Sequence, residues 1–263
     1  MISSAVLVAI AASAVLAVVW PLAIFFICRP RMTLLLRNVL VGAAVFFVFS
    51  QILEKGLHAY LLKANPVTAA WFQTYAIGFA LYACLAAALF EEMGRYLGMR
   101  FLVRASGNPG TAVAYGIGHG GIESILIGGV AMGQAFIFAN LLNAGRFEAT
   151  LGPALSPEAL AQLRAGLENL SVVGLALSTV ERLIAFLTQI GFSLVVWHAV
   201  ERKHLGFLAL AILLHALIDF PAGLFQAGQM PGLVVEGFIL VVGAALTVLF
   251  LYKLPRKLSG PPV

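Results

Sequence analysis

Seven long apolar segments follow one another along the chain, separated by short polar stretches. They cover residues 2–28, 33–53, 67–97, 111–142, 171–200, 205–220 and 232–252. A helix needs roughly 20 apolar residues to cross a bilayer. The apolar runs are continuous and lack the alternation of period two that is typical of membrane strands. The pattern therefore predicts an all-α polytopic membrane bundle with about seven transmembrane helices.

Two of these segments are irregular. The fourth contains Gly128-Gly129, which predicts a kink or a break at that point. The sixth is short and is expected to end at Pro221. Short or interrupted segments occur in transporters built from inverted repeats, but no internal repeat is evident in this chain.

Composition excludes soluble enzyme folds. Of the 263 residues, 62% are hydrophobic and 10% are charged, whereas soluble domains carry about 25% charged residues. The chain is expected to be one transmembrane domain over residues 1–263, in a bacterial or archaeal cell membrane. Its net charge of +5 is scattered rather than gathered in a patch, so no nucleic acid is expected as a partner.

The positive charges predict the orientation of the bundle. Eleven Lys and Arg residues lie in the first, third and fifth turnarounds and in the tail, against four in the other turnarounds. Cytoplasmic loops are enriched in these residues, so the N-terminus is expected outside and the C-terminus in the cytoplasm. Residues 143–170 then form an external loop. Its Ser156-Pro157-Glu158 start, followed by regularly spaced leucines, predicts a short amphipathic helix on the outer membrane surface; a plain connector is the alternative.

The third segment ends with two adjacent acids and an arginine, Glu91, Glu92 and Arg95. Adjacent carboxylates in an apolar frame repel each other and lose solvation, which are conditions that suit a general base. Arg95 follows at helical spacing, so its guanidinium can hold one acid ionised and leave the other free for proton transfer. The alternative is that these residues mark the cytoplasmic end of the helix.

Two other segments each carry a histidine and an acid four residues apart, and therefore on one helix face. His119 and Glu123 lie in a glycine-rich stretch of the fourth segment, where glycines allow close helix approach. His215 and Asp219 lie in the sixth segment. Each histidine could instead be a hydrogen-bonded core residue. Ionisable groups are costly in lipid, however, and we expect both histidines and Glu91 at one level in the inner half of the membrane.

The carboxylates and imidazoles of these three segments suit two kinds of chemistry. A carboxylate base with two imidazoles can activate water against an amide. Zinc also accepts His nitrogen and carboxylate oxygen, which makes His119, Glu123 and His215 candidate metal ligands. Of the other polar residues, Glu181 and Arg182 are expected to form structural ion pairs with partners on different helices.

Three further histidines, His58, His198 and His204, are expected to play no part in this chemistry. His58 falls between the second and third apolar segments. We expect it to lie solvated in an outer loop.

The ordered motifs resemble the YhfC family of intramembrane metalloproteases. They are Glu91-Glu92-x-x-Arg95-Tyr96, Gly118-His119-Gly120-x-x-Glu123 and His215-x-x-x-Asp219, and the resemblance covers roughly residues 30–250. That family is similar to the CAAX-type and bacteriocin-processing membrane proteases, to the PrsW site-proteases and to the Aph subunit of gamma-secretase. The resemblance implies an intramembrane peptidase acting on a membrane-embedded or membrane-adjacent peptide.

The CAAX-type relatives imply roles for individual residues. By this resemblance Glu91 activates water with help from His119, and His215 and Asp219 stabilise the oxyanion. Glu92 and Arg95 would set the charge of the base. The chain departs from the pattern in two places, because the arginine spacing is one residue shorter and Asp219 stands where asparagine is usual. An acid donates to an oxyanion only when protonated, so a zinc mechanism and a glutamate mechanism both stay open.

Two other classes of function fit the same residues. A proton-coupled transporter or permease would use them to relay protons or bind a solute, and a scaffold similar to Aph would use them only to fix helix packing. A protease needs water or metal held between Glu91, His119 and His215, within reach of a substrate. A transporter needs a route to both sides of the membrane, and a scaffold needs neither.

Overall fold

The chain folds into a bundle of seven apolar helices long enough to cross a membrane. The computed structural model describes residues 1–32, 34–103 and 107–253, and no strand occurs among them. The spans are Ser4–Cys28, Leu36–Ala64, Ala76–Val103, Pro109–Asn143, Val172–Glu201, Gly206–Gln226 and Gly232–Leu251, called here the first to seventh spans. The predicted all-α membrane bundle is therefore confirmed.

Four span boundaries differ from those predicted by six residues or more. The second span continues to Ala64 and the third to Val103. The third begins at Ala76, because non-helical Tyr75 (φ −110°, ψ 84°) separates it from a short helix, Pro66–Thr74. The sixth does not end at Pro221 but runs through it to Gln226. Proline removes one backbone hydrogen bond, and neighbouring helices in a membrane bundle commonly compensate for that loss.

Wide helical turns interrupt several spans. The irregularity predicted at Gly128-Gly129 is a π-helical stretch, Ser124–Val130, through which the fourth span stays continuous. A second π-helical stretch, Phe47–Glu54, lies within the second span. Such turns shift the helix face that side chains occupy and are frequent at functional sites. Both stretches adjoin polar residues described below.

The fifth span is the central helix of the bundle. Its residues 188–199 are all buried, and it packs along the fourth span. The glycines of the fourth span permit this contact: a Cβ at Gly116 would lie 2.7 Å from Cα of Ile190. On its other side, a Cβ at Gly118 would overlap the backbone carbonyl of Val39 in the second span. The predicted close helix approach at these glycines is thus present.

Apolar clusters fill the two ends of the bundle. The larger joins the fourth and fifth spans to Leu34 and to the end of the third span, and it includes Met99, Tyr115 and Trp197. The smaller joins the start of the first span to residues 139–175 at the opposite end. The third and sixth spans pack along each other beside the central helix.

The 143–170 loop contains two short helices, Phe147–Leu151 and Pro157–Glu168. Ser156 caps the second helix by accepting a hydrogen bond from the backbone of Ala159 at 3.2 Å. Its leucines pack against the smaller apolar cluster, where Leu167 is 4% exposed. The apolar face of this helix is therefore covered by protein, and its place outside the membrane stays a prediction.

Candidate active site

Glu91, Glu92 and Arg95 lie inside the bundle. Glu92 and Arg95 are completely buried, and Glu91 is 7% exposed. The third span continues beyond Arg95 to Val103, so these residues do not mark its end. The interpretation of the motif as an interfacial helix end is therefore wrong.

Arg95 contacts Glu92 rather than Glu91. Its Nε lies 3.0 Å from Oε2 of Glu92, and its Nη2 lies 3.3 Å from Oε1 of the same carboxylate. The guanidinium also donates to the fifth span, to the hydroxyl of Ser193 and to the side chain and backbone carbonyl of Gln189. The arginine thus neutralises Glu92, whereas Glu91 has other partners.

Residues of the fourth and fifth spans both contact one oxygen of the Glu91 carboxylate. Its Oε2 lies 3.0 Å from Nε2 of His119 and accepts a hydrogen bond from Nε2 of Gln189 at 3.1 Å. Nη2 of Arg95 approaches the same His119 nitrogen at 3.1 Å. Within the described residues, no hydrogen bond uses Oε1 of Glu91, which leaves one oxygen of this carboxylate available.

His215 approaches the same carboxylate from the sixth span. Its Nε2 lies 4.0 Å from Oε2 of Glu91 and 3.4 Å from Oδ2 of Asp219. Its Nδ1 lies 2.8 Å from Oε1 of Glu92, and its ring stacks on Phe192 with centroids 4.9 Å apart. These two contacts fix the ring so that Nε2 points towards Glu91. Both predicted histidines therefore converge on Glu91.

Three residues of the site could hold a metal ion. One ligand atom from each of Glu91, His119 and Glu123 lies within 4.8 Å of the others. Glu123 is fixed by Nε2 of Gln189, which donates to its Oε2 at 2.7 Å. Nitrogen and carboxylate oxygens are zinc ligands, so this donor set fits that metal. His215, predicted as a ligand, lies beside this group.

The formal charge of the site is negative. Among the described residues, the site holds four carboxylates and the guanidinium of Arg95, while Arg182 on the same cavity is paired with Glu181. The carboxylates are those of Glu91, Glu92, Glu123 and Asp219. Unpaired charge is costly inside a membrane. The site is therefore suited to taking up a cation or protons.

A cavity of about 550 Å³ opens onto Glu91, Glu123, His215 and Asp219. It runs towards the end of the bundle that carries the connections at 65–75 and 227–231, where Leu62, Phe79 and Gln226 line it. Towards the opposite end, buried Tyr96 and Met99 follow Arg95 on the third span. The described residues therefore give the site an opening towards one end and apolar packing towards the other.

Two predictions about other polar residues need correction. Arg182 and Glu181 form an ion pair as predicted, but with each other rather than with partners on different helices, and Nε of Arg182 lies 2.7 Å from Oε2 of Glu181. His58 is not in a solvated loop: it lies in the second span, where Nε2 is 3.2 Å from Oε1 of Glu54. The second span extends further than its apolar run, and this explains the error.

The motifs did not identify three residues of the site. Gln189 links Glu91, Glu123 and Arg95, and Ser193 contacts Arg95 one turn further along. An uncharged glutamine or serine on a long helix gives no motif by itself. Glu54 was detectable, since it precedes His58 by four residues in the same stretch.

Comparisons with known proteins identify relatives of this chain. The chain is 35% identical over 256 residues to the uncharacterized membrane protein YhfC of Bacillus subtilis strain 168, covering 97% of this chain and 99% of that protein. No solved structure matches it. The model of the YhfC intramembrane metalloprotease family matches residues 13–240, a range that contains every residue of the site. This integral bacterial membrane protein therefore belongs to the YhfC family.

Proposed function

We propose that this protein is an intramembrane peptidase that hydrolyses a peptide bond in or near the membrane. The observation that carries the proposal is the convergence on Glu91. His119 Nε2 at 3.0 Å and His215 Nε2 at 4.0 Å approach one oxygen of this carboxylate, at the inner end of a polar cavity. The cavity gives a substrate access, which a scaffold would not need.

Glu91 is the general base of the proposed reaction. Its Oε2 is engaged by His119 and Gln189, so Oε1 is the oxygen left to receive a proton from water in the cavity. Arg95 neutralises Glu92, which keeps the second charge of the pair from being left unpaired beside the base. The water oxygen, freed of its proton, then attacks the carbonyl carbon of the substrate.

His215 supplies the second function, at the carbonyl oxygen or the leaving amine. Glu92 holds its Nδ1, and Nε2 faces the cavity between Glu91 and Asp219. With Nδ1–H donated to Glu92, Nε2 carries a second hydrogen in the imidazolium form, which can donate to the oxyanion or pass that proton to the departing nitrogen and become neutral. Asp219 orients the imidazole rather than donating to the oxyanion itself, which explains how an acid can stand at this position.

The residues present also fit zinc. Glu91, His119 and Glu123 would hold it, with His215 beside them as the further ligand expected from the sequence. The metal would supply Lewis-acid activation of water and of the peptide carbonyl. Arg95 lies 3.1 Å from His119 Nε2, and the four carboxylates of the site exceed the positive charge of this guanidinium, so the net charge is compatible with a bound cation.

Glu91→Gln tests the proposal because it keeps the shape of the side chain and removes the base. We expect this variant to be inserted and folded but inactive in an unbiased comparison of proteome-wide cleavage products. Glu168→Gln is the control, because Glu168 is an exposed carboxylate outside the site. Full proteolysis by Glu91→Gln would show that Glu91 is not the base.

The same purified proteins separate the remaining mechanisms. Elemental analysis should find zinc in the wild type, and its removal by a chelator should abolish cleavage if the zinc mechanism operates. Cleavage by metal-free protein would favour the glutamate mechanism. Loss of proton-coupled solute uptake in Glu91→Gln, without any change in cleavage products, would instead favour a transporter.

A further inference from the structure

A second polar group lines the same cavity, away from Glu91. It consists of Ser50, Glu54 and His58 on the second span and Tyr82 on the third, called here the distal group. The hydroxyl of Ser50 donates to Oε2 of Glu54 at 3.1 Å, and Nε2 of His58 lies 3.2 Å from Oε1. Nδ1 of His58 is 2.6 Å from the hydroxyl of Tyr82. The proposed reaction uses none of these residues.

The distal group is separated from the base by a distance that the third span defines. Tyr82 precedes Glu91 by nine residues in one continuous helix. At 1.5 Å per residue this is about 13 Å along the axis. An extended peptide advances about 3.3 Å per residue, so about four of its residues cover that distance. A substrate held at Glu91 and extended along the cavity thus reaches the distal group.

The charge of the distal group favours a cation. Glu54 is 5% exposed, and its described partners are a hydroxyl and an imidazole rather than an arginine or lysine. Lys55 also lines the cavity, but no ion pair joins it to Glu54 among the described residues. A buried carboxylate without an arginine or lysine partner gains from an ammonium or guanidinium that arrives with its own hydrogen-bond donors.

We propose that the distal group is a substrate subsite that binds a cationic group of the peptide, the ammonium of a lysine or N-terminus or the guanidinium of an arginine. The cation would lie about four residues from the bond held at Glu91. This inference rests on the proposed peptidase function. It makes Glu54 a residue that determines specificity, and it leaves the base and the imidazoles unchanged.

A lysine moved stepwise along a peptide tests this subsite. A set of fluorescently labelled Leu/Ala peptides, each with one lysine at a different position, is incubated with the full chain in detergent. Mass spectrometry then locates the cleaved bond. We expect the position of the cleaved bond to shift with the lysine, so that the two stay about four residues apart. Glu54→Gln should lose this dependence and lower kcat/KM for the lysine peptides at least about tenfold.

Two variants control for charge and folding. Glu168→Gln removes a carboxylate from an exposed residue outside the cavity, and it should alter kcat/KM less than about twofold because solvent screens that charge. Glu54→Asp keeps the carboxylate and should retain the lysine dependence. Thermal unfolding in detergent identifies any variant that fails to fold.

Binding to Glu91→Gln, followed by fluorescence anisotropy, separates this inference from the proposed function. If no peptide is cleaved but the lysine peptides bind and Glu54→Gln weakens that binding at least about tenfold, the cation subsite stands and the peptidase proposal fails. If peptides are cleaved at bonds unrelated to the lysine, with equal rates in wild type and Glu54→Gln, the subsite is wrong and the peptidase proposal stands.

Discussion

At the scale of single residues, Arg95 organises the site without facing the cavity. It is completely buried and holds Glu92, which in turn holds His215, while its other donors fix Gln189 and Ser193. A guanidinium has five N–H donors in a rigid plane, so one side chain can connect three spans in a way that lysine cannot. The consequence is that Glu91 is the carboxylate left free of the arginine.

Removing the guanidinium should therefore destabilise the protein. Arg95→Met leaves Glu92 as a buried charge without its cation, which costs about 3–5 kcal/mol of folding free energy. Thermal or denaturant unfolding in detergent measures this loss. Adding Glu92→Gln to Arg95→Met should recover part of it, since the stranded charge is then gone.

The exposed pair around Arg164 is the control for Arg95. Arg164→Ala breaks contacts with Glu148 and Glu168 that solvent already screens, so its unfolding should match that of the wild type. Equal stability of Arg95→Met and the wild type would contradict the role assigned to this network.

At the scale of elements, the fourth span packs closely against both the second and the fifth spans. Gly118 lies against the backbone of the second span, and Gly116 lies against that of the fifth. This close contact brings His119 to within 3.0 Å of Glu91 on the third span. The glycines between the motif residues are therefore part of the site, because they set the distance between helices.

A methyl group at Gly118 should disrupt this contact. The added Cβ in Gly118→Ala meets the carbonyl of Val39, a backbone atom that cannot rotate away. We expect a loss of about 1–3 kcal/mol or more in unfolding free energy, together with loss of activity. Gly133→Ala, in the same span but with open space around the glycine, should be neutral or slightly stabilising. Equal unfolding curves for the two variants would refute the packing argument.

At the scale of the whole molecule, the position of the cavity links the chemistry to the orientation of the bundle. The cavity opens towards the connections at 65–75 and 227–231. Five of the counted residues lie within spans, and leaving them out gives eight against two, with the same sign. They are Arg37, Lys55, Lys63, Arg95 and Arg100. The predicted orientation would place the mouth of the cavity on the external side, so the substrate would arrive from the outer half of the membrane.

Reporter fusions test this orientation. A reporter after Val263 should give a cytoplasmic signal, and one inserted within 143–170 should give an external signal, because Lys and Arg are retained on the cytoplasmic side. A cytoplasmic signal from the 143–170 loop would reverse the bundle and place the mouth of the cavity in the cytoplasm.

The sequence by itself determined the class of fold and most of the residues of the site. Seven apolar runs are sufficient to predict seven spans, because a helix is the form in which a single segment satisfies its own backbone hydrogen bonds in lipid. Ionisable residues in those runs cost free energy in lipid and need a role there. The sequence alone therefore identifies Glu91, Arg95, His119 and His215 as candidates. The resemblance to the YhfC family rested on the order of the same residues.

The tertiary structure decided which of these residues meet. Spacing along one helix could not tell which acid Arg95 would hold, because both lie within its reach, and packing gives it to Glu92. Gln189 and Ser193 carry no charge and no motif, so only their position on the central helix identifies them. The start of the third span after Tyr75 and the continuation of the sixth through Pro221 likewise depend on neighbouring helices. So do the buried position of Glu54 and the half-buried position of His58, because a local pattern of polar and apolar residues does not contain the contacts between helices.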